Sequence, residues 1–335
     1  MSERKLVVYS GRNRPDLTPV YHLFEALTGT AVEVAKVYHH DVGERVVEER
    51  GDPQADVLLT NSQLALEQIR DAGVFEPYAP QVARDYQEWL RAPDLAWLSF
   101  TAWPRVAMVN RTVLADEGDW PARLEDFVDP RLRGLIACAA LVEMTTVAQF
   151  AAIRHVRGDE FTEALLDRLI ANGLRVYASN LYTRNAVVEE RLAAALANSS
   201  NVHVFQLEGN PVGEAWLDQE DGGLGTPIEA HTIALLRGCR NPEAARDFVD
   251  FLLAPGTQSM LARLFGETPV NPAAEHGWVR PLATIRRTEA PLAATTALLP
   301  STVELLRRKG LGSSLAFERS ANHPAIRCKV HERKT

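Results

Sequence analysis

Three arginines, Arg12, Arg105 and Arg184, each stand where a strand-like stretch gives way to a turn or changes character. Arg12 lies in the turn Ser10-Gly11-Arg12-Asn13 after the run Leu6-Val7-Val8-Tyr9, and Arg184 follows Ser179-Asn180 beyond the short strand pattern Arg175 to Tyr177. Arg105 comes directly after Pro104 inside the apolar run WLSFTAWPRVAMVN. A planar guanidinium gives two parallel hydrogen bonds to a carboxylate or phosphate, so three arginines beside helix N-termini suit a small anion. Single arginines are common on surfaces, but a charge inside an apolar strand is costly unless something pairs with it, which sets Arg105 apart. Ser10, Asn13, Thr60, Asn61, Thr101, Thr145, Thr146 and Asn180 fall at predicted strand ends or helix starts and can add hydrogen bonds. Tyr9, Trp103 and Tyr182 either wall such a pocket or pack a core.

Other chemistries find less support in the residue pattern. Cys138, Cys239 and Cys328 have no metal-ligand spacing, and an odd number excludes a fully paired intramolecular framework. His39-His40 are adjacent rather than one helical turn apart, and His22, His155 and His203 have no partner at metal spacing. Glu143 and Glu208 allow a carboxylate cation site, although an acid at a helix start serves the helix dipole equally well. No Ser-His-Asp spacing, GxSxG, HExxH or Walker motif occurs, so an enzyme and a bound cofactor are not expected. The glycine-rich loop DQEDGGLGT, Asp218 to Thr226, lacks the GK[ST] of a phosphate loop and is expected to shape a cleft instead.

The elements that must position these residues follow from periodicity. The order β-α-β-α-β up to Thr60 predicts a parallel sheet with right-handed crossovers. The run from Trp97 to Val109 reads as a strand passing into a second domain, and Ala230 to Leu236 as the return crossing. Between them a strand at Gly134 to Ala139, helices at Thr145 to Val156 and Phe161 to Asn172, a helix at Thr183 to Ala197 and a strand at Val202 to Phe205 are expected. Further helices are expected at Glu243 to Leu252, Gly256 to Phe265 and Leu292 to Lys309. With 335 residues, 46% hydrophobic and 24% charged, the chain can bury a large core in two domains. A net charge of −8 argues against a nucleic-acid partner. The start MSERKLVVYS lacks the basic, apolar and small-residue regions of a secretory signal. The expected location is periplasmic or extracellular if an export signal is missing from this chain, and otherwise cytoplasmic.

The order of these pieces resembles the solute-binding proteins of ABC importers, in the branch that includes the bacterial ferric-ion-binding proteins. The resemblance spans roughly Lys5 to Pro272 and rests on VVYSGRN, QADVLLTN, WLSFTAWPRVAMVN, PEAARDFVDFLLAPGTQ and PVNP. It implies a two-lobed α/β fold of the periplasmic-binding-protein type, each lobe a mainly parallel sheet flanked by helices, with two β-strand hinge crossovers. Lobe one would be residues 1–104 and 232–278, and lobe two 105–231 and 279–335 with the C-terminal helix packed on it. Implied partners are a small solute and an ABC permease if the chain is exported, with the protein itself a monomer. Iron binders of the branch carry a first-turn histidine, a carboxylate after the third strand and a tyrosine pair before the second crossing. Here Asn13 and Asn61 take the first two positions, and the stretch VHVFQLEGNPV has no tyrosine. In related proteins the arginine matching Arg105 faces the cleft and holds an anion. A small anionic solute bound by hinge closure is therefore expected, with a ferric or other metal-ion binder, or a cytoplasmic ligand sensor, as alternatives.

Overall fold

The computed structural model describes residues 4–12, 17–37 and 42–312. The expectations for Asn13, for His39-His40 and for Cys328 lie outside the described residues, as does the part of the second-lobe assignment that covers residues 313–335. The chain order is β1 (Lys5–Ser10), α1 (Thr18–Thr28), β2 (Ala31–Lys36), α2 (Val42–Glu48), β3 (Val57–Thr60), α3 (Gln63–Ile69), β4 (Phe75–Glu76) and β5 (Leu98–Asn110). Then come β6 (Ile136–Ala139), α4 (Met144–Ala171), β7 (Arg175–Tyr177), α5 (Asn180–Glu189), β8 (Ala194–Asn198), α6 (Ser199–Leu207) and β9 (Val212–Ala215). β10 (Ile228–Leu236), α7 (Pro242–Leu253), α8 (Pro255–Phe265), β11 (Thr268–Pro269) and α9 (Leu292–Arg308) complete it.

The fold is two-lobed α/β, and β5 is the strand that the two sheets share. β1 pairs in parallel with β2 and β3, and β6 in parallel with β7 and β8, so the outer strands of each lobe follow the parallel expectation. The long strands run antiparallel to their neighbours: β10 against β3 and β5, and β5 against β8 and β9. Within β5 the residues up to Pro104 pair with β10, while those from Arg105 onward pair with β8 and β9. Pro104 has no amide hydrogen to give, and the Arg105 N–H turns to the Pro227 carbonyl at 2.9 Å. Arg105 is thus the residue at which one strand changes sheets.

Apolar burial explains the two bodies. Leu6, Val8, Val20, Phe24, Phe100, Phe248 and Leu252 form a core beneath the first sheet, and Leu282 and Ile285 join it. Val109, Phe127, Ile136, Phe150, Ile153 and Leu165 form a second core, which Leu299, Leu305 and Leu306 of α9 complete. Leu64 of α3 enters this second cluster, so α9 packs on α4 and also meets the first sheet's helix. No helix among the described residues is long and apolar enough to cross a membrane.

Two expectations fail in one place. The segment read as a helix from Thr183 to Ala197 is α5 followed by strand β8, and the strand read at Val202 to Phe205 is helix α6. Alanine favours helices locally, but Ala194, Ala195 and Ala197 are buried in a strand between β5 and β6, and Arg191 at φ 53° separates it from α5. The helices read at Thr145 to Val156 and Phe161 to Asn172 are both present as the two halves of α4, parted at Gly158, whose φ of 81° and ψ of 171° are not helical.

Candidate functional site

Three helices of the second lobe, α4, α5 and α6, begin after β6, β7 and β8, and the Arg105 guanidinium lies among their starts. Its Nε donates to Gln149 Oε1 in the second turn of α4 at 3.0 Å. Its Nη1 donates to Asn198 Oδ1, the residue capping α6, at 2.6 Å and to Asn180 Oδ1, the first residue of α5, at 3.4 Å. Its Nη2 is buried without a hydrogen-bond partner among the described residues, as is the hydroxyl of Ser199, the first residue of α6. Arg105 is 2% exposed. Burial lowers its pKa to about 10, partly offset through space by Cys138, Glu143 and Glu229, yet no carboxylate among the described residues forms an ion pair with it. Each helix N-terminus adds roughly half a positive charge. The corner is a desolvated, donor-rich place for an anion.

The remaining residues singled out from the sequence divide into groups. Asn180 and Thr145 join the corner: Asn180 Nδ2 donates to Glu143 Oε2 and to Thr145 Oγ1, both at 3.1 Å. Glu143 also accepts the Asn180 backbone N–H at 3.3 Å, so it serves the start of α5 and not that of its own helix. Thr146 is buried and donates to the Ala139 carbonyl. Arg184 lies over the Phe205 ring at 4.7 Å and 3.7 Å from Glu208, a cation already answered within its own lobe. Tyr182 packs partly buried against the core that holds Val187 and Phe205.

On the first lobe, Arg12 is ion-paired with fully buried Glu267, and its Nε and Nη1 have no partner among the described residues. Burial would raise the Glu267 carboxyl, but Arg12 and His231 overcome it and hold the pKa at about 2. Thr101 donates to Glu267 at 2.6 Å and lies 2.8 Å from His231 Nδ1. Burial, with Arg12 close by, pushes the His231 pKa down. The Ser10 hydroxyl bonds within its own turn to the Arg12 carbonyl, and Thr60 bonds to Thr232 Oγ1 and the Ser62 carbonyl. Tyr9 is buried in the core with its hydroxyl on Glu49. The hydroxyls of Ser10, Thr60, Thr101 and Tyr9 are thus satisfied within the lobe, whereas Arg12 keeps two buried nitrogens open. Asn61 likewise keeps a buried atom open: its Oδ1 has no partner among the described residues, while its carbonyl accepts the Trp103 indole N–H at 3.0 Å.

Gln149, Asn198, Ser199, Ser62, Glu229, His231 and Glu267 were not found from the sequence. Glu229 and His231 carried the same signal as Arg105, a polar residue at alternate positions of an apolar strand. Glu229 sits opposite Trp103 on β5 and His231 opposite Thr101, so Thr101, Trp103, Arg105, Glu229 and His231 share one face of the hinge strands. Burial raises the Glu229 pKa to about 7 against the Ser62 hydroxyl that donates to it and the nearby Arg105. The glycine-rich loop does not enter this face: Gly225 packs so tightly on the backbone of Arg287 that a Cβ would meet it at 2.7 Å. Among the described residues no three His, Cys, Asp or Glu side chains are grouped to hold a metal. The residues after β8 are Ser199-Ser200-Asn201, so the shift from strand to helix there brings no tyrosine to the site.

Comparison with known proteins is consistent with this architecture. The bacterial extracellular solute-binding protein family matches residues 52–282. Iron uptake protein A1 of Synechocystis is 25% identical over 288 residues, covering 80% of this chain and 76% of that protein. Iron-bound HitA from Pseudomonas aeruginosa superposes with a TM-score of 0.80 at 23% identity, over 92% of this chain and 99% of that one. AfuA from Actinobacillus pleuropneumoniae, with fructose-6-phosphate bound, gives a TM-score of 0.76 at 18% identity, over 92% and 98%.

Proposed function

This chain belongs to the bacterial extracellular solute-binding protein family, and we propose that the solute it captures is a small anion seated on Arg105. It is the solute-binding component of an ABC import system, and the anion is delivered to the permease by hinge opening about β5 and β10. The observation that carries this reading is a buried guanidinium that keeps one nitrogen unpartnered and has no carboxylate in contact among the described residues. Desolvating a cation in that way is costly, and the cost is recovered when a carboxylate, phosphate or phosphonate supplies charge-assisted hydrogen bonds worth about 1.5–3 kcal/mol each. The unpartnered Ser199 hydroxyl and the starts of α4, α5 and α6 support the same ligand. Closure follows from the ligand touching both lobes.

Relatives named for iron keep a ferric cargo in view. Ferric ion needs anionic oxygen donors, and the neutral side chains after β8 favour the anion. AfuA, with the same fold, holds an organic phosphate. A thermal-shift screen of anions, neutral sugars, amino acids and metals tests the reading. A ligand at a hundredfold its Kd stabilises by about 2.7 kcal/mol, a rise of several degrees that only anions should produce. Stabilisation by a neutral sugar with no anion active would overturn it, as would tight ferric binding without an anion.

A further inference from the structure

The corner around Arg105 offers donors, yet the wall facing it across the hinge offers acceptors. Glu229 lies on β10 directly opposite Trp103, two residues from Arg105 on the same strand face. The Ser62 hydroxyl donates to one of its oxygens, and the Trp103 indole donates to the Asn61 carbonyl, so Asn61, Ser62, Trp103 and Glu229 form one contiguous group. Within it the Asn61 side-chain oxygen is buried and has no donor among the described residues. A buried carbonyl oxygen without a donor costs about 1–3 kcal/mol unless a ligand or water supplies one. No arginine or lysine among the described residues bonds to Asn61 or Glu229, so this wall presents oxygen atoms and not a second cation to the solute.

We infer that Asn61 Oδ1 and Glu229 form a second subsite, which accepts hydrogen bonds from hydroxyl groups on the far end of the solute. This deepens the anion reading and rests on it. The solute class becomes a hydroxylated organic anion, such as a polyol or sugar phosphate, with its anionic group on Arg105 and its hydroxyls toward Asn61. A simple inorganic anion would fill only the first subsite. A site that hydrogen-bonds a ligand hydroxyl discriminates strongly against analogues that lack it, because its own buried polar groups are then left unpaired.

Calorimetric titration of the full chain with inorganic phosphate, glycerol 3-phosphate, glucose 6-phosphate and 2-aminoethylphosphonate tests this. The wild type should bind at least one hydroxylated phosphate ten- to a hundredfold more tightly than inorganic phosphate. Asn61→Leu and Glu229→Gln should each lower that affinity about tenfold while leaving inorganic phosphate within twofold; Glu229→Gln keeps shape and the Ser62 contact, which guards against a folding artefact. Equal affinity for all phosphates, or variants that weaken every ligand alike, would overturn the subsite. Preference for the aminophosphonate would also overturn it, since the second group would then take an ammonium. If no phosphate binds and Arg105→Ala changes nothing, the anion reading itself has failed; if phosphate binds through Arg105 without a hydroxyl advantage, only this inference has.

Discussion

Replacing Arg105 by Met separates a ligand-binding arginine from a structural one. In the unliganded protein two effects oppose each other. Burial takes the guanidinium pKa from 12.5 to about 10, and at ~1.4 kcal/mol per pH unit its desolvation costs roughly 3 kcal/mol. Its bonds to Gln149 and Asn198 return about 1.5–3 kcal/mol each. Arg105→Met removes both, so the free energy of unfolding by urea should fall by no more than about 3 kcal/mol. Ligand binding has no such compensation. Loss of a buried charged hydrogen-bond pair costs roughly 3–5 kcal/mol, and calorimetry should therefore find the affinity for a bound anion reduced by about two to four orders of magnitude. A variant that loses more than about 4 kcal/mol of unliganded stability while binding anions as before would refute the argument, because Arg105 would then be part of the core and not of the site.

Further outcomes follow from the same geometry. Glu267→Ala strands Arg12 as a buried unpaired cation, and urea unfolding should register a loss of about 3–5 kcal/mol; an effect below 1 kcal/mol would contradict the pairing. Glu267 has a folded pKa of about 2, below its ordinary value of 4.5, so its stabilisation is complete above pH ~4.5 and is lost as pH falls toward 2. Wild type should therefore lose more stability than Glu267→Gln across that window. Glu229 has the opposite sign: its folded pKa is raised to about 7, so its contribution is fully present below pH ~4.5 and fades as pH rises through 7. Glu229→Gln should remove that decline, and identical pH profiles for the two proteins would contradict it. Gly266 has φ 62°, and a Cβ there would meet the His203 Cβ at 2.4 Å. Since His203 Nδ1 donates to the Gly266 carbonyl at 2.9 Å across the lobes, Gly266→Ala should cost roughly 1–3 kcal/mol and widen the solution envelope seen by small-angle scattering.

Legibility in the sequence followed the reach of each signal. The first three strands, the crossing at WLSFTAWPRVAMVN and the return at Ala230 to Leu236 were readable because apolar runs of strand length end in turn residues. The region around Ala194 misled, since alanines that pass for helix formers locally are chosen there for a strand packed on both sides. Arg105 was legible as a charge out of place in an apolar strand. Arg12, in a polar turn, carried no such signal, and its partner Glu267 lies 255 residues away, where no local pattern couples the two. Gln149 and Asn198 were silent for the same reason: each is an ordinary polar residue until β5 brings the guanidinium to it.

Anomalous diffraction from crystals grown with arsenate gives the most direct test of an anion at Arg105. An arsenic peak is expected within hydrogen-bonding reach of Arg105 Nη2 and the Ser199 hydroxyl, the two donors left open among the described residues of that corner. A peak elsewhere, with the guanidinium in contact only with Gln149, Asn198 and Asn180, would contradict it.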